Sequence, residues 1–303
     1  MLPEKPWRLE ALIRLGLSVV ICVCMGALML CLMRVFSGGG SRLGLPMAVI
    51  VVGLTVLAVA LHLARRPWDV EHDRARMLGF LACLYAGLTL LAVAQKLTHA
   101  GAVKAGLWQL VIAALSFQGA ALALIGPFLR SHQTTWSDGF GFSHSRCRAV
   151  LLGLVTAMAF LPLAWLLQIG TATLLMRLRV GAEAQPAIEA LRAAPTWLDR
   201  LPLGLVAIAL APPAEEMLFR GLMYPFLKRA GFPHLALWLT TLLFAAVHWN
   251  LVSFMPLVLL ALVLTWLYER TGNLLAPIAA HSLFNALNFV ALQFMDRAWT
   301  QPR

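Results

Sequence analysis

Three short stretches gather the side chains able to do chemistry in an otherwise apolar chain: EEMLFR at 215–220, FAAVH at 244–248 and HSLFN at 281–285. They supply two carboxylates, a guanidinium, two imidazoles and an amide. On a helix, Arg220 falls four residues after Glu216 and shares its face, whereas Glu215 is rotated by about 100°. The spacing separates a structural ion pair, Glu216 with Arg220, from a second carboxylate directed elsewhere. His281 and Asn285 are again four apart, and Asn288 extends their stripe by another turn. Such a set suits hydrolysis. Glu215 can act as general base on water, a histidine can share or shuttle the proton, and His or Asn can stabilise an oxyanion. Glu215, His248 and His281 would alternatively bind zinc or another divalent metal, although the compact H-E-x-x-H motif is absent. Taken singly, each element has a plainer reading. An E-x-x-x-R pair is more often a tie between helices, Phe244 reads as packing, and His234, at the start of a span, reads as structural. Those readings weaken together, because a bilayer penalises each polar group separately.

The elements that must position these residues are membrane helices. Hydrophobic residues make up 61% of the 303-residue chain and charged residues only 12%, against about a quarter charged in a soluble protein. Several apolar runs reach the ~20 residues that span a bilayer, and they are continuous rather than alternating, which excludes barrel strands. The expectation is an all-α polytopic membrane helical bundle of about 8–10 hydrophobic helices. Candidate spans lie at 15–33, 44–63, 77–94, 105–128 and 149–176, then at 201–211, 213–228, 234–248, 254–269 and 275–295. Pro212 and Pro213 are expected to end one helix and open the next. That would set both glutamates in a first turn, where the helix dipole favours negative charge. Gln109, Ser116 and Gln118 are the main polar residues of the early spans and suit interhelical hydrogen bonds. Residues 177–200 mix charge with apolar residues, as a short interfacial helix with Trp197 at headgroup level would.

The net charge of +11 would suggest nucleic acid in a soluble protein. Here the basic residues lie mostly in short loops between apolar runs, where they set topology and meet anionic lipid. Their alternation favours a cytoplasmic N-terminus, and the Arg and Ala bias points to a bacterial cytoplasmic membrane. The first apolar run reads as a retained span, not a cleaved signal. Cys22, Cys24, Cys31, Cys83 and Cys147 form no C-x-x-C pair and read as small hydrophobes.

The ordered set E-E-x-x-x-R, F-x-x-x-H, H-x-x-x-N resembles the CPBP family of intramembrane proteases, also called type II CAAX prenyl endopeptidases or Abi proteins. The resemblance covers roughly residues 148–296. It implies a protease-like core at 141–303 behind accessory transmembrane helices at 1–140. It also implies Glu215 as the water-activating base assisted by His248, His281 and Asn285 as the oxyanion site, and Glu216 with Arg220 as supporting ion pair. The implied reaction is peptide-bond hydrolysis in a membrane-anchored protein or peptide. No cofactor is required on this reading, which prefers the glutamate mechanism because an amide is a poor zinc ligand and a good oxyanion donor. Two other classes compete: a non-enzymatic scaffold or immunity protein with the same fold, and a proton-coupled transporter. Transport is disfavoured because the polar residues occupy one half of the chain without a counterpart in the other.

Overall fold

Apolar stretches of this length satisfy their backbone in lipid only by coiling. The computed structural model is helical, with no strand, across the residues it describes: 5–37, 44–64, 73–98, 106–143, 145–180, 186–194 and 196–300. The helices are α1 (Leu9–Ser37), α2 (Gly44–Ala64), α3 (Arg74–Leu97), α4 (Leu107–Ser131), α5 (Trp136–Phe140) and α6 (Arg146–Arg177), then α7 (Pro186–Ala193), α8 (Trp197–Arg229), α9 (Pro233–Ala246), α10 (Leu251–Thr271) and α11 (Leu275–Thr300). Eight of them, α1 to α4, α6, α8, α10 and α11, are long and apolar enough to cross a membrane. The chain is an integral membrane protein.

Contacts divide the chain into two compact units, 8–128 and a second made of 1–7 with 129–303. In the first, α2 packs against both α3 and α1 around Ile21, Leu28, Ile50, Leu57 and Phe80. Gly87 is required there, since a Cβ would lie 2.3 Å from a methyl of Leu57. Two of the three polar residues of α4 singled out above, Gln109 and Ser116, take local partners instead of interhelical ones. Gln109 turns back to accept from the Gly106 N–H (3.1 Å), and the Ser116 hydroxyl donates to Ile112 O of its own helix (2.7 Å). Local backbone partners lie closer than neighbouring helices, and Ser commonly takes them.

In the second unit α6, α10 and α11 pack together, with Leu260, Leu264, Ala276 and Ala280 at their core. The 177–200 stretch holds the short α7. Thr196 then caps α8, its hydroxyl accepting from the Asp199 N–H at 3.3 Å, and Trp197 is 70% exposed beside it. The principal difference from expectation is at the double proline. The spans expected at 201–211 and 213–228 are one continuous helix, α8. Proline removes an N–H and crowds the preceding turn, and α8 absorbs both effects by widening. Val206–Leu210 is a π-helical turn in which the Ala211 N–H reaches back five residues to Val206 O.

Candidate active site

Because α8 does not break, Glu215 and Glu216 are not in a first turn. They sit in mid-helix, 6% and 0% exposed, between the π turn at 206–210 and a second at Met217–Met223. Two buried carboxylates in that setting need compensating charge. Arg220, itself fully buried, supplies it. Its Nη1 donates to Glu216 Oε1 at 2.9 Å, as the four-residue spacing predicts. The rest of the guanidinium is occupied too. Nη2 donates to Ala261 O (3.1 Å) and Nε to the Thr265 hydroxyl (3.5 Å), both on α10, and the group stands 4.5 Å over the Phe244 ring. Glu215 acts on the same guanidinium through space.

Glu216 has a second task that spacing did not disclose. Its Oε1 also accepts from His281 Nδ1 at 2.9 Å. One carboxylate oxygen thus joins α8 to α11, while Arg220, its ion-pair partner on the same helix, joins α8 to α10. Asn285, one turn beyond His281, does not share that contact. Its Nδ2 donates to Ala207 O, back in the first π turn of α8, at 2.8 Å. Ala207 O needs such a donor. The N–H four residues on, at Ala211, is given to Val206 O, and the residue five on is Pro212, which has none. Asn288 lies outside this cluster. It bonds to Phe284 O of its own helix and accepts from the Trp165 indole of α6, each at 2.9 Å.

Phe244 and His248 complete the set from α9. The Phe244 ring is wholly buried. Its centroid is 5.1 Å from the His248 ring, 5.5 Å from His281 and 5.6 Å from Phe219. It is packing, as expected, but packing that spaces both imidazoles and the guanidinium. His248 is on the corner after α9, only partly buried, and its Nδ1 donates to Phe244 O at 2.7 Å. The next residue, Trp249, takes a left-handed φ of 48°, and Asn250 caps α10 by accepting from the Ser253 N–H (2.9 Å). His234 is exposed at the start of α9, away from these contacts.

The hydrogen bonds fix which nitrogens carry protons. A carbonyl and a carboxylate oxygen only accept, so Nδ1 is protonated in both histidines and Nε2 is the remaining atom of each ring. For a metal the donor set fits poorly. Among the described residues no three His, Cys, Asp or Glu side chains come together as ligands, so Glu215, His248 and His281 do not form a metal-binding group. Glu216, Arg220, Phe244, His248 and His281 therefore form one contiguous set with Glu215 coupled to it, and Asn285 is anchored one turn away. Residue spacing did not reveal Thr265, the Ala261 carbonyl or the Ala207 carbonyl. Only the double proline hinted that α8 would have carbonyls in want of donors.

Residues 196–287 match the family model for type II CAAX prenyl endopeptidase Rce1-like proteins, an interval holding all six candidate residues. The uncharacterised protein YpbD of Bacillus subtilis (strain 168) is 35% identical over 85 residues, 27% of this chain and 41% of that protein. The chain thus spans less than half the length of this relative. No solved structure matches.

Proposed function

We propose that this integral membrane protein, which carries a type II CAAX prenyl endopeptidase domain of the Rce1-like family, is an intramembrane endopeptidase that uses Glu215 to activate water. The observation that carries the reading is a buried carboxylate, Glu215, set beside the compensating charge of Arg220. Glu216 is taken up by Arg220 and His281, both within 2.9 Å, while Glu215 is buried beside it in an apolar bundle. A carboxylate held dry near a compensating charge is a competent base.

In the proposed reaction Glu215 takes a proton from water as the oxygen bonds to the substrate carbonyl carbon. His248 Nε2, the basic nitrogen left by the bond to Phe244 O, assists. The developing oxyanion meets two donors. One is the second N–H of Asn285, whose first is spent on Ala207 O. The other is His281 Nε2–H, which requires the imidazolium form. Collapse of the intermediate breaks the C–N bond, and the proton held by Glu215 goes to the leaving amine. No step passes through a metal.

The substrate is a membrane-anchored peptide or protein tail, since the site lies among helices that cross the bilayer. The basic loops support a cytoplasmic N-terminus in a bacterial cytoplasmic membrane, with residues 1–140 as accessory helices to the core at 141–303. The test is comparison of C-terminal peptides of membrane proteins from cells carrying the wild type or Glu215→Gln. Peptides shortened only by the wild type support the proposal. Identical peptides, with physiological function retained by Glu215→Gln, would replace it with a scaffold role.

A further inference from the structure

Both π turns of α8 adjoin prolines, and both have a carbonyl served by a side chain from far away in sequence. Asn285 serves the first. At the second, the Trp7 indole Nε1 donates to Gly221 O at 3.1 Å. Gly221 follows Arg220 directly, and the residue four further on, whose N–H an α-helix would direct at this carbonyl, is Pro225. We infer that Trp7 is a positioning residue for α8: its indole N–H holds the proline-opened turn at 217–223 and with it the placement of Glu216 and Arg220. The inference rests on the proteolytic reading above, and it lies outside the interval matched by the family.

The segment is built to stay in place. Trp7 is 4% exposed and its ring meets His132 edge-on at 5.5 Å. Lys5 Nζ donates to Asp138 O at 2.8 Å, and Arg229, the last residue of α8, donates its guanidinium to Lys5 O. Gly221 admits the packing that surrounds this bond, since a Cβ there would lie 2.6 Å from the Phe140 ring. Residues 5–7 thus grip α8 at Gly221 and at Arg229, on either side of Pro225. The bond is buried within the protein, so no water readily substitutes for a lost donor, and deleting one N–H is felt even when the ring is kept.

The experiment uses the full chain in nanodiscs and the variants Trp7→Phe, Pro225→Ala and both together. Trp7→Phe keeps an aromatic ring and removes the donor. Pro225→Ala restores a backbone N–H four residues after Gly221. Amide hydrogen exchange over 217–226 is expected to rise about tenfold in Trp7→Phe, with α10 unchanged, and to rise much less when Trp7→Phe is made on the Pro225→Ala background. Equal exchange in wild type and Trp7→Phe overturns the inference, as does the same increase in both backgrounds, which would mark Trp7 as packing alone. A lipid-anchored, internally quenched peptide reads activity in parallel. The expected result is a kcat about tenfold lower in Trp7→Phe with KM unchanged. Normal kcat in Trp7→Phe with none in Glu215→Gln overturns the positioning role and leaves the protease reading standing. Undiminished cleavage by Glu215→Gln overturns the protease reading, and exchange still decides whether Trp7 holds the turn.

Discussion

Removing Arg220 is the sharpest test of the charge network, because its effects can be separated by a double-mutant cycle. Arg220 and Glu216 are both wholly buried, and Glu216 Oε2 has no hydrogen-bond partner among the described residues. In Arg220→Met the carboxylate retains only His281, and Ala261 O and the Thr265 hydroxyl each lose a donor. Breaking a buried pair from one side costs about 3–5 kcal/mol, chiefly for the stranded charge. Replacing both members with neutral residues of similar size, Arg220→Met with Glu216→Gln, removes that charge. Its cost should fall to the lost hydrogen bonds, about 1–2 kcal/mol. The two single variants and the double should therefore be non-additive by at least about 2 kcal/mol, well above the ~0.5 kcal/mol seen for independent sites. Arg220→Lys should lie between, since one ammonium pairs with Glu216 but cannot also reach Ala261 O and Thr265 while lying over Phe244. Reversible unfolding in mixed detergent and dodecyl sulfate micelles, followed by circular dichroism, measures all four proteins. Additive losses, or less than about 1 kcal/mol for Arg220→Met, would refute the view that this pair compensates buried charge.

On the proposed function, Glu215→Gln should abolish cleavage while leaving the unfolding midpoint near that of the wild type, because Arg220 keeps its pair with Glu216; His248→Ala should abolish cleavage as well. Asn285→Ala should lower kcat by about 10²–10³, the usual effect of losing one oxyanion donor, and leave measurable residual activity. Asn285→Asp should do worse in both stability and rate, since a carboxylate cannot donate to Ala207 O. Exhaustive chelation should leave cleavage intact, checked by assaying the same peptide before and after treatment with phenanthroline; loss restored by added zinc would refute the metal-free chemistry.

What the sequence disclosed and what it concealed follow from the range of the interactions. The pair of Glu216 with Arg220 is local, so four-residue spacing predicted it. Lipid demands long apolar runs, so the spans were legible from composition. The prolines were misleading because their effect depends on partners elsewhere. An isolated helix meeting Pro212 and Pro213 would end there, but α8 continues through a π turn whose carbonyl is served by Asn285, 78 residues away. The bond from His281 to Glu216 spans 65 residues and that from Trp7 to Gly221 spans 214. Neither has a periodicity to reveal it. Gln109 and Ser116 failed in the opposite sense, with local backbone bonds where longer-range ones were expected.

The prolines also explain why the site residues lie where they do. An uninterrupted α-helix in a membrane satisfies its own backbone and needs nothing from its neighbours, so its rotation is set by side-chain packing alone. Pro212 and Pro225 each accompany a carbonyl, Ala207 O and Gly221 O, that takes a side-chain donor from far along the chain, and each donor specifies one alignment. Asn285 can reach Ala207 O only when α11 stands at a set height against α8, and His281, one turn earlier, is then presented to Glu216. Arg220 ties α10 to α8 differently, through Ala261 O, a carbonyl that also accepts from the Thr265 hydroxyl. Backbone need thus registers α11 against α8 beside the glutamates to the tolerance of a hydrogen bond, which greasy packing does not provide and which the proposed proton transfer would require. On this argument the double proline beside the acids is part of the machinery. Substituting Pro212 and Pro213 by alanine should relieve the need for Asn285, shift α8 against α11 and cost activity more than stability.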